Sequence, residues 1–208
     1  NGLVLQANGN LYVGPLRGYN SNGTQRDDGR RTGAAIKSRQ RFLGGRFEAR
    51  VTIPKELGVV SAFWTFFYDD TTPGNIRNHE IDIEFPGHAR PNGPPTLDYM
   101  SLTIWRGLKS GQSTTSSVRL GTDVTDGAFH ILRFDWEPPR PGFDGAVSYY
   151  IDGQLREVLR SNVPSEPGNV WLGLWFPPVW AGTPNFSTVA MKVDWVRITP
   201  LAEQTRRH

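Results

Sequence analysis

Glu80-Ile81-Asp82-Ile83-Glu84-Phe85 alternates three acids with three large apolar residues. A repeat of two marks a half-buried β-strand, because successive side chains leave a strand on opposite faces. Ile81, Ile83 and Phe85 share one face and can anchor in a core. Glu80, Asp82 and Glu84 share the other. Such a row is costly, since strand propensity disfavours Asp and Glu and like charges on one face repel. It reads either as a solvated sheet face or as a set of working carboxylates.

Outward from this stretch, the pattern is one of short strands and turns. Residues 59–68 are strongly apolar and aromatic and suit a central strand, and residues 45–53 alternate until Pro54 stops them. Residues 33–38 form a shorter strand. Residues 3–5 and 11–13 flank Ala7-Asn8-Gly9-Asn10, which predicts a hairpin turning at Asn-Gly, and residues 19–31 read as a polar loop. After the acids, residues 87–95 read as loop. Strands are expected over 97–105, 116–120, 129–136, 170–175 and 189–199. Residues 147–151 and 155–158 form a hairpin closed by Asp152-Gly153. No segment joins helical period to helix caps. About a dozen strands with turn punctuation predict an all-β, antiparallel β-sandwich, with residues 1–208 as a single domain.

Composition narrows the function classes. Seven Trp and eleven Phe beside 23 Gly and 16 Pro suggest aromatic surfaces, buried or used for binding. The absence of cysteine excludes disulfides, Cys-ligated zinc and thiol chemistry. The net charge of +3 is scattered, with no dense Lys/Arg block, so nucleic acid is not the expected partner. No apolar run is long enough to span a membrane. Residues 1–4 lack the features of an export signal, so the expectation is that a signal was removed or none existed.

Two carboxyl groups flanking a glycosidic bond can split it, one as nucleophile and one as proton donor. Retention of configuration needs them about 5–5.5 Å apart. On a flat strand the Cα atoms of Glu80 and Glu84 are about 13 Å apart, so curvature and convergent side chains must close the gap.

The run His79-Glu80-Ile81-Asp82-Ile83-Glu84-Phe85-Pro86-Gly87 resembles the active-site strand of glycoside hydrolase family 16, the family of lichenases, laminarinases, agarases and endo-β-galactosidases. Phe42 to Glu48 and Gly58-Val59-Val60-Ser61-Ala62-Phe63-Trp64-Thr65 resemble the preceding strands. Phe134-Asp135-Trp136, Tyr150-Ile151-Asp152-Gly153, Leu174-Trp175 and Asp194-Trp195-Val196-Arg197 resemble the later ones. The resemblance covers nearly the whole chain. It implies a jelly-roll (concanavalin A-like) sandwich with a concave glycan-binding cleft, and a retaining endo-β-glycosidase acting on a β-galactoside or β-glucan. Glu80 would be the nucleophile, Asp82 its helper and Glu84 the acid/base. A transglycosylase or a non-catalytic glycan-binding module on the same fold are the rivals. The resemblance further implies an exported protein, which is expected to work as a monomer on a polysaccharide.

Sugar rings present apolar faces that indoles can cover. Trp175 resembles the lichenase tryptophan at the cleavage point, and Trp64, Trp105 and Trp180 are further substrate-binding candidates; Trp136, Trp171 and Trp195 are expected in the core. His79 is expected to face the core side as a structural residue, and His88 to lie in a loop. No cofactor is expected for catalysis. Many relatives hold a structural calcium, and the matching positions here are Gly9 and Asp194. The chain departs from the lichenases at Asn78-His79, where they carry Trp-Asp, and at Ala35, Lys37 and Gly173, where they carry Glu, Arg and Asn. The run Leu174-Trp175-Phe176-Pro177 with Trp180-Ala181-Gly182 is closer to endo-β-galactosidase-like members.

Overall fold

A computed structural model describes residues 2–12, 30–72, 76–87, 95–177 and 180–201. Among these residues the chain forms thirteen strands, paired antiparallel into two sheets. The seven-stranded sheet runs β11 (Gln154–Leu159), β10 (Ala146–Ile151), β9 (His130–Glu137), β4 (Gly45–Val51), β13 (Thr188–Thr199), β1 (Leu3–Tyr12), β2 (Arg30–Thr32). The six-stranded sheet runs β3 (Ala34–Phe42), β12 (Gly168–Trp175), β5 (Val60–Asp69), β6 (Arg77–Phe85), β7 (Tyr99–Arg106), β8 (Ser113–Arg119).

The acidic strand is β6, held between β5 and β7 in the middle of its sheet. Ile81, Ile83 and Phe85 are buried between the sheets with Phe63, Leu102 and Ile104. Phe134 from β9 closes the gap to the other sheet, with its ring 5.1 Å from Phe63 and stacked 4.8 Å from Phe47. Each of the three β6 anchors contributes roughly 1.5–3 kcal/mol by leaving water. They also lock the register. A slip of one residue would put the acids in the core and the apolar residues outside.

The Asp152-Gly153 hairpin forms as expected, joining β10 to β11, and both residues have positive φ (49° and 78°), which a type I′ turn demands. The Asn8-Gly9 hairpin does not form. β1 runs straight through these residues, pairing with β13 from Leu3 to Asn8, and the Gly9 amide donates to the Ser187 carbonyl at 3.0 Å. Neither Asn8 nor Gly9 takes the left-handed backbone that such a turn needs, because long-range pairing to β13 outweighs the local turn signal. Of the polar stretch read as loop, Arg30–Thr32 is strand β2, bound to the edge of β1; residues 19–29 and most of the 87–95 loop, including His88, lie outside the described residues.

Candidate active site

Glu80, Asp82 and Glu84 leave β6 on the outer face of the six-stranded sheet. Register fixes their neighbours. Asp82 lies opposite Trp64 on β5 and Thr103 on β7; Glu80 lies between Phe66 and Trp105; Glu84 lies between Ala62 and Ser101. Asp82 is only 7% exposed, and the two glutamates are partly buried.

Each acid receives its own neutral donor. The Asn78 amide Nδ2 donates to Glu80 Oε2 at 3.3 Å. The Trp105 indole Nε1 donates to Asp82 Oδ2 at 3.2 Å. The Trp175 indole donates to Glu84, and Asp82 shares a further hydrogen bond with Glu80. Burial pushes Glu80 up to about 6, against the pull of the Asn78 and Asp82 hydrogen bonds. Burial and the Glu80 charge push Glu84 to about 7, against the Trp175 bond. Burial, then the Glu80 and Glu84 charges, push Asp82 well above the usual carboxylate range. All three acids are thus pushed toward their protonated forms, and because they act on one another they titrate as a group rather than singly.

Indoles surround this row. Trp64 and Trp171 stack nearly parallel, 5.5 Å apart, with the Lys37 ammonium 5.2 Å from the Trp171 ring. Trp175 is 38% exposed and meets Trp180 edge-on at 5.7 Å. Ala181 packs on Val60 and Ala62, which brings Trp180 down against the sheet.

The family model described as glycosyl hydrolases family 16 matches residues 10–197. The chain belongs to glycosyl hydrolase family 16. Among its relatives, the β-glucanase of Paenibacillus macerans is 31% identical over 171 residues, covering 80% of this chain and 64% of that protein. The β-glucanase of Bacillus subtilis (strain 168) is 30% identical over 167 residues, covering 78% of this chain and 61% of that protein. The chain thus spans less than two thirds of the length of these relatives. In fold, it superposes on a prokaryotic β-1,3-1,4-glucanase (lichenase) from a mouse hindgut metagenome with a TM-score of 0.70 at 22% identity, over 96% of this chain and 80% of that one. The Bacillus licheniformis β-glucanase gives 0.63 at 23% identity, over 95% and 97%. These likenesses match the sandwich architecture.

Within this family-16 domain the structure redistributes several expected residues. Trp136 is in the core, donating its indole hydrogen to the Pro164 carbonyl at 3.1 Å. Trp171 and Trp195 are not. Trp171 pairs with Trp64, on the acid face; Trp195 sits beyond a bulge in β13, on the outer surface with the Arg197 guanidinium 4.9 Å from its ring. The signal for Trp171 was available: it lies four residues before Trp175 on one strand, so both must share a face. Trp105, a substrate-binding candidate from the sequence, stands beside the acids with its N–H bound to Asp82. His79 is buried on the core side, accepting the Ser165 amide at 3.2 Å, and burial lowers its pKa.

Gly9 and Asp194 do not fit a shared calcium. In the β1–β13 register Asn8 faces Thr188 and Leu3 faces Val193, so the two residues lie at opposite ends of the ribbon, roughly 20 Å apart. The Gly9 carbonyl already accepts the Arg31 guanidinium at 2.9 Å, and the Asp194 carboxylate is paired with Arg50. Calcium needs six to eight oxygens within about 2.6 Å, and these two sit in separate surroundings. Among the described residues, no three of His, Asp or Glu group as a metal site.

Proposed function

We propose that this domain hydrolyses internal β-linkages of a β-glucan with retention of configuration. Glu80 attacks the anomeric carbon while Glu84 gives its proton to the departing glycosidic oxygen, leaving a glycosyl ester on Glu80. Glu84, now ionised, takes a proton from water as that water attacks the same carbon and releases Glu80. Asp82 donates its shared hydrogen bond to Glu80 and keeps the nucleophile ionised. Carboxyl groups and water suffice for these steps.

The observation that carries this reading is the row itself: three carboxyls on one sheet face, sunk among indoles, met by the neutral donors Asn78 and Trp105, and pushed upward by burial rather than held down by ion pairs. A solvated sheet face would leave acids near their ordinary values, and a purely binding face has no use for a stored proton. The β-glucanases of Bacillus and Paenibacillus support a glucan over a galactan substrate. Ala35 paired with Gly173 on β3 and β12, and Lys37 over Trp171, favour a sugar arrangement unlike that of the lichenases. A polymeric substrate supports an exported enzyme.

The test is hydrolysis by the purified protein of lichenan, laminarin, xyloglucan and agarose. Internal cleavage of a glucan with β-anomer at first release, followed by proton NMR, is expected. Inert glucans, or α-anomer product, would overturn the reading. Redistribution of chain length without new reducing ends would make the enzyme a transglycosylase.

A further inference from the structure

We propose that Trp105 is a positioning residue for this hydrolysis: its indole N–H holds one oxygen of Asp82, so that the other presents its proton to Glu80. The inference rests on the roles given above to Glu80 and Asp82.

In register Trp105 stands opposite Glu80, yet its nitrogen reaches diagonally to Asp82 Oδ2 at 3.2 Å. An indole nitrogen is a donor only. Oδ2 is therefore an acceptor whether or not Asp82 carries a proton, and that proton belongs on Oδ1. Asp82 also hydrogen-bonds Glu80, and a bond between two carboxyls needs one proton between them. Trp105 thus decides which oxygen faces the nucleophile. Without it the Asp82 carboxyl can turn its proton away, and Glu80 loses a donor that favours its ionised form.

The neighbours offer no substitute. Thr103, opposite Asp82 on β7, has its hydroxyl 3.2 Å from the Thr115 hydroxyl. Trp64, opposite on β5, is stacked on Trp171. The titratable groups acting on Asp82 are Glu80 and Glu84 on its own strand and the Tyr149 phenol from β10 behind it. Asn78 reaches Glu80 and the Trp175 indole reaches Glu84, so Trp105 is the donor that serves the middle acid. Its ring is only half-buried, so removing the N–H does not empty the core.

Two variants separate this role from that of a sugar platform: Trp105→Phe, which keeps an aromatic ring, and 3-benzothienylalanine in place of Trp105, which keeps the shape and replaces the N–H by sulfur. With the glucan that wild type cleaves, kcat should fall roughly tenfold while KM stays within about twofold. The acidic limb of kcat/KM should move up by about half to one pH unit. Raised KM with an unmoved limb would make Trp105 a platform and overturn the proposal. A second readout needs no turnover: the carboxyl carbon-13 titration of Glu80, assigned with Glu80→Gln, should also move up in both variants. If wild type cleaves nothing but this titration moves, the hydrolase reading fails while the orienting of Asp82 toward Glu80 by Trp105 stands; an unmoved titration overturns the proposal. If Trp105→Phe fails to fold, the isosteric replacement carries the test.

Discussion

On the outer face of the seven-stranded sheet, Asp135 lies between Arg46 and Arg133, Asp194 is paired with Arg50, and Glu48 lies 4.0 Å from Arg197. On the outer face of the six-stranded sheet, Glu80, Asp82 and Glu84 meet the amide of Asn78 and the indoles of Trp105 and Trp175; among the described residues, none of the three acids is ion-paired. Burial alone would push Asp135 up, but Arg133 and Arg46 outweigh it and hold the carboxyl below its usual range. The acids of β6 go the other way. A guanidinium makes a carboxylate permanent, whereas neutral donors orient a carboxyl and leave its proton negotiable. The same residue type is thus held ionised on one sheet and pushed toward its protonated form on the other.

The largest test of this contrast is catalytic. Glu80→Ala and Glu84→Ala should each lower kcat by about a thousandfold or more, with the fold intact by circular dichroism, whereas Asp135→Asn should leave kcat within about twofold. Wild-type kcat/KM should trace a bell with limbs near pH 6 and 7, the values to which burial pushes Glu80 and Glu84. Activity that keeps rising to pH 9 would break the assignment of a stored proton.

Next comes the donor at Glu84. Trp175→Ala removes both an exposed indole and the hydrogen bond that holds Glu84 down, so kcat/KM should drop roughly tenfold and the basic limb should move up. Unchanged kinetics would take Trp175 out of the site.

Smaller effects are expected on stability, with opposite signs on the two faces. Glu84 has a raised folded pKa, so its contribution is fully present below its unfolded value and is lost as pH rises through about 7. Glu84→Gln should therefore stabilise the protein at pH 8 by about 3 kcal/mol, and do nothing at pH 4. Asp135 is depressed, so its contribution is present above its unfolded value and is lost as pH falls through the folded one. Asp135→Asn should cost about 1 kcal/mol at pH 7, a fall of roughly 2–4 °C in Tm, shrinking in acid. Melting curves at the two pH values check both; shifts of the same sign would end the comparison.

Much of the architecture is legible along the chain because its signals are local. Period two in Glu80–Phe85 places the acids on one face and their anchors on the other. Asp152-Gly153 encodes its own turn, since both residues tolerate positive φ. The same logic misleads at Asn8-Gly9, where a strand 180 residues away supplies hydrogen bonds that no local pattern records. Trp171 could have been placed by its spacing from Trp175, whereas Trp195 could not, because the bulge after Val193 shifts the parity of β13.

By itself, the order of residues determined that three carboxyls would stand together on an open sheet face, in a chain whose motifs resemble those of family 16. Only the tertiary structure decided what each carboxyl meets: Trp105 reaching Asp82 from β7, Trp175 reaching Glu84 from beyond β5, and, on the opposite sheet, Arg46 and Arg133 reaching Asp135. It also decided that Gly9 and Asp194 stand apart. Side-chain period is a property of one strand and can be read in sequence. Which donor faces which acid depends on register between strands distant along the chain, and that register is set by how the core packs.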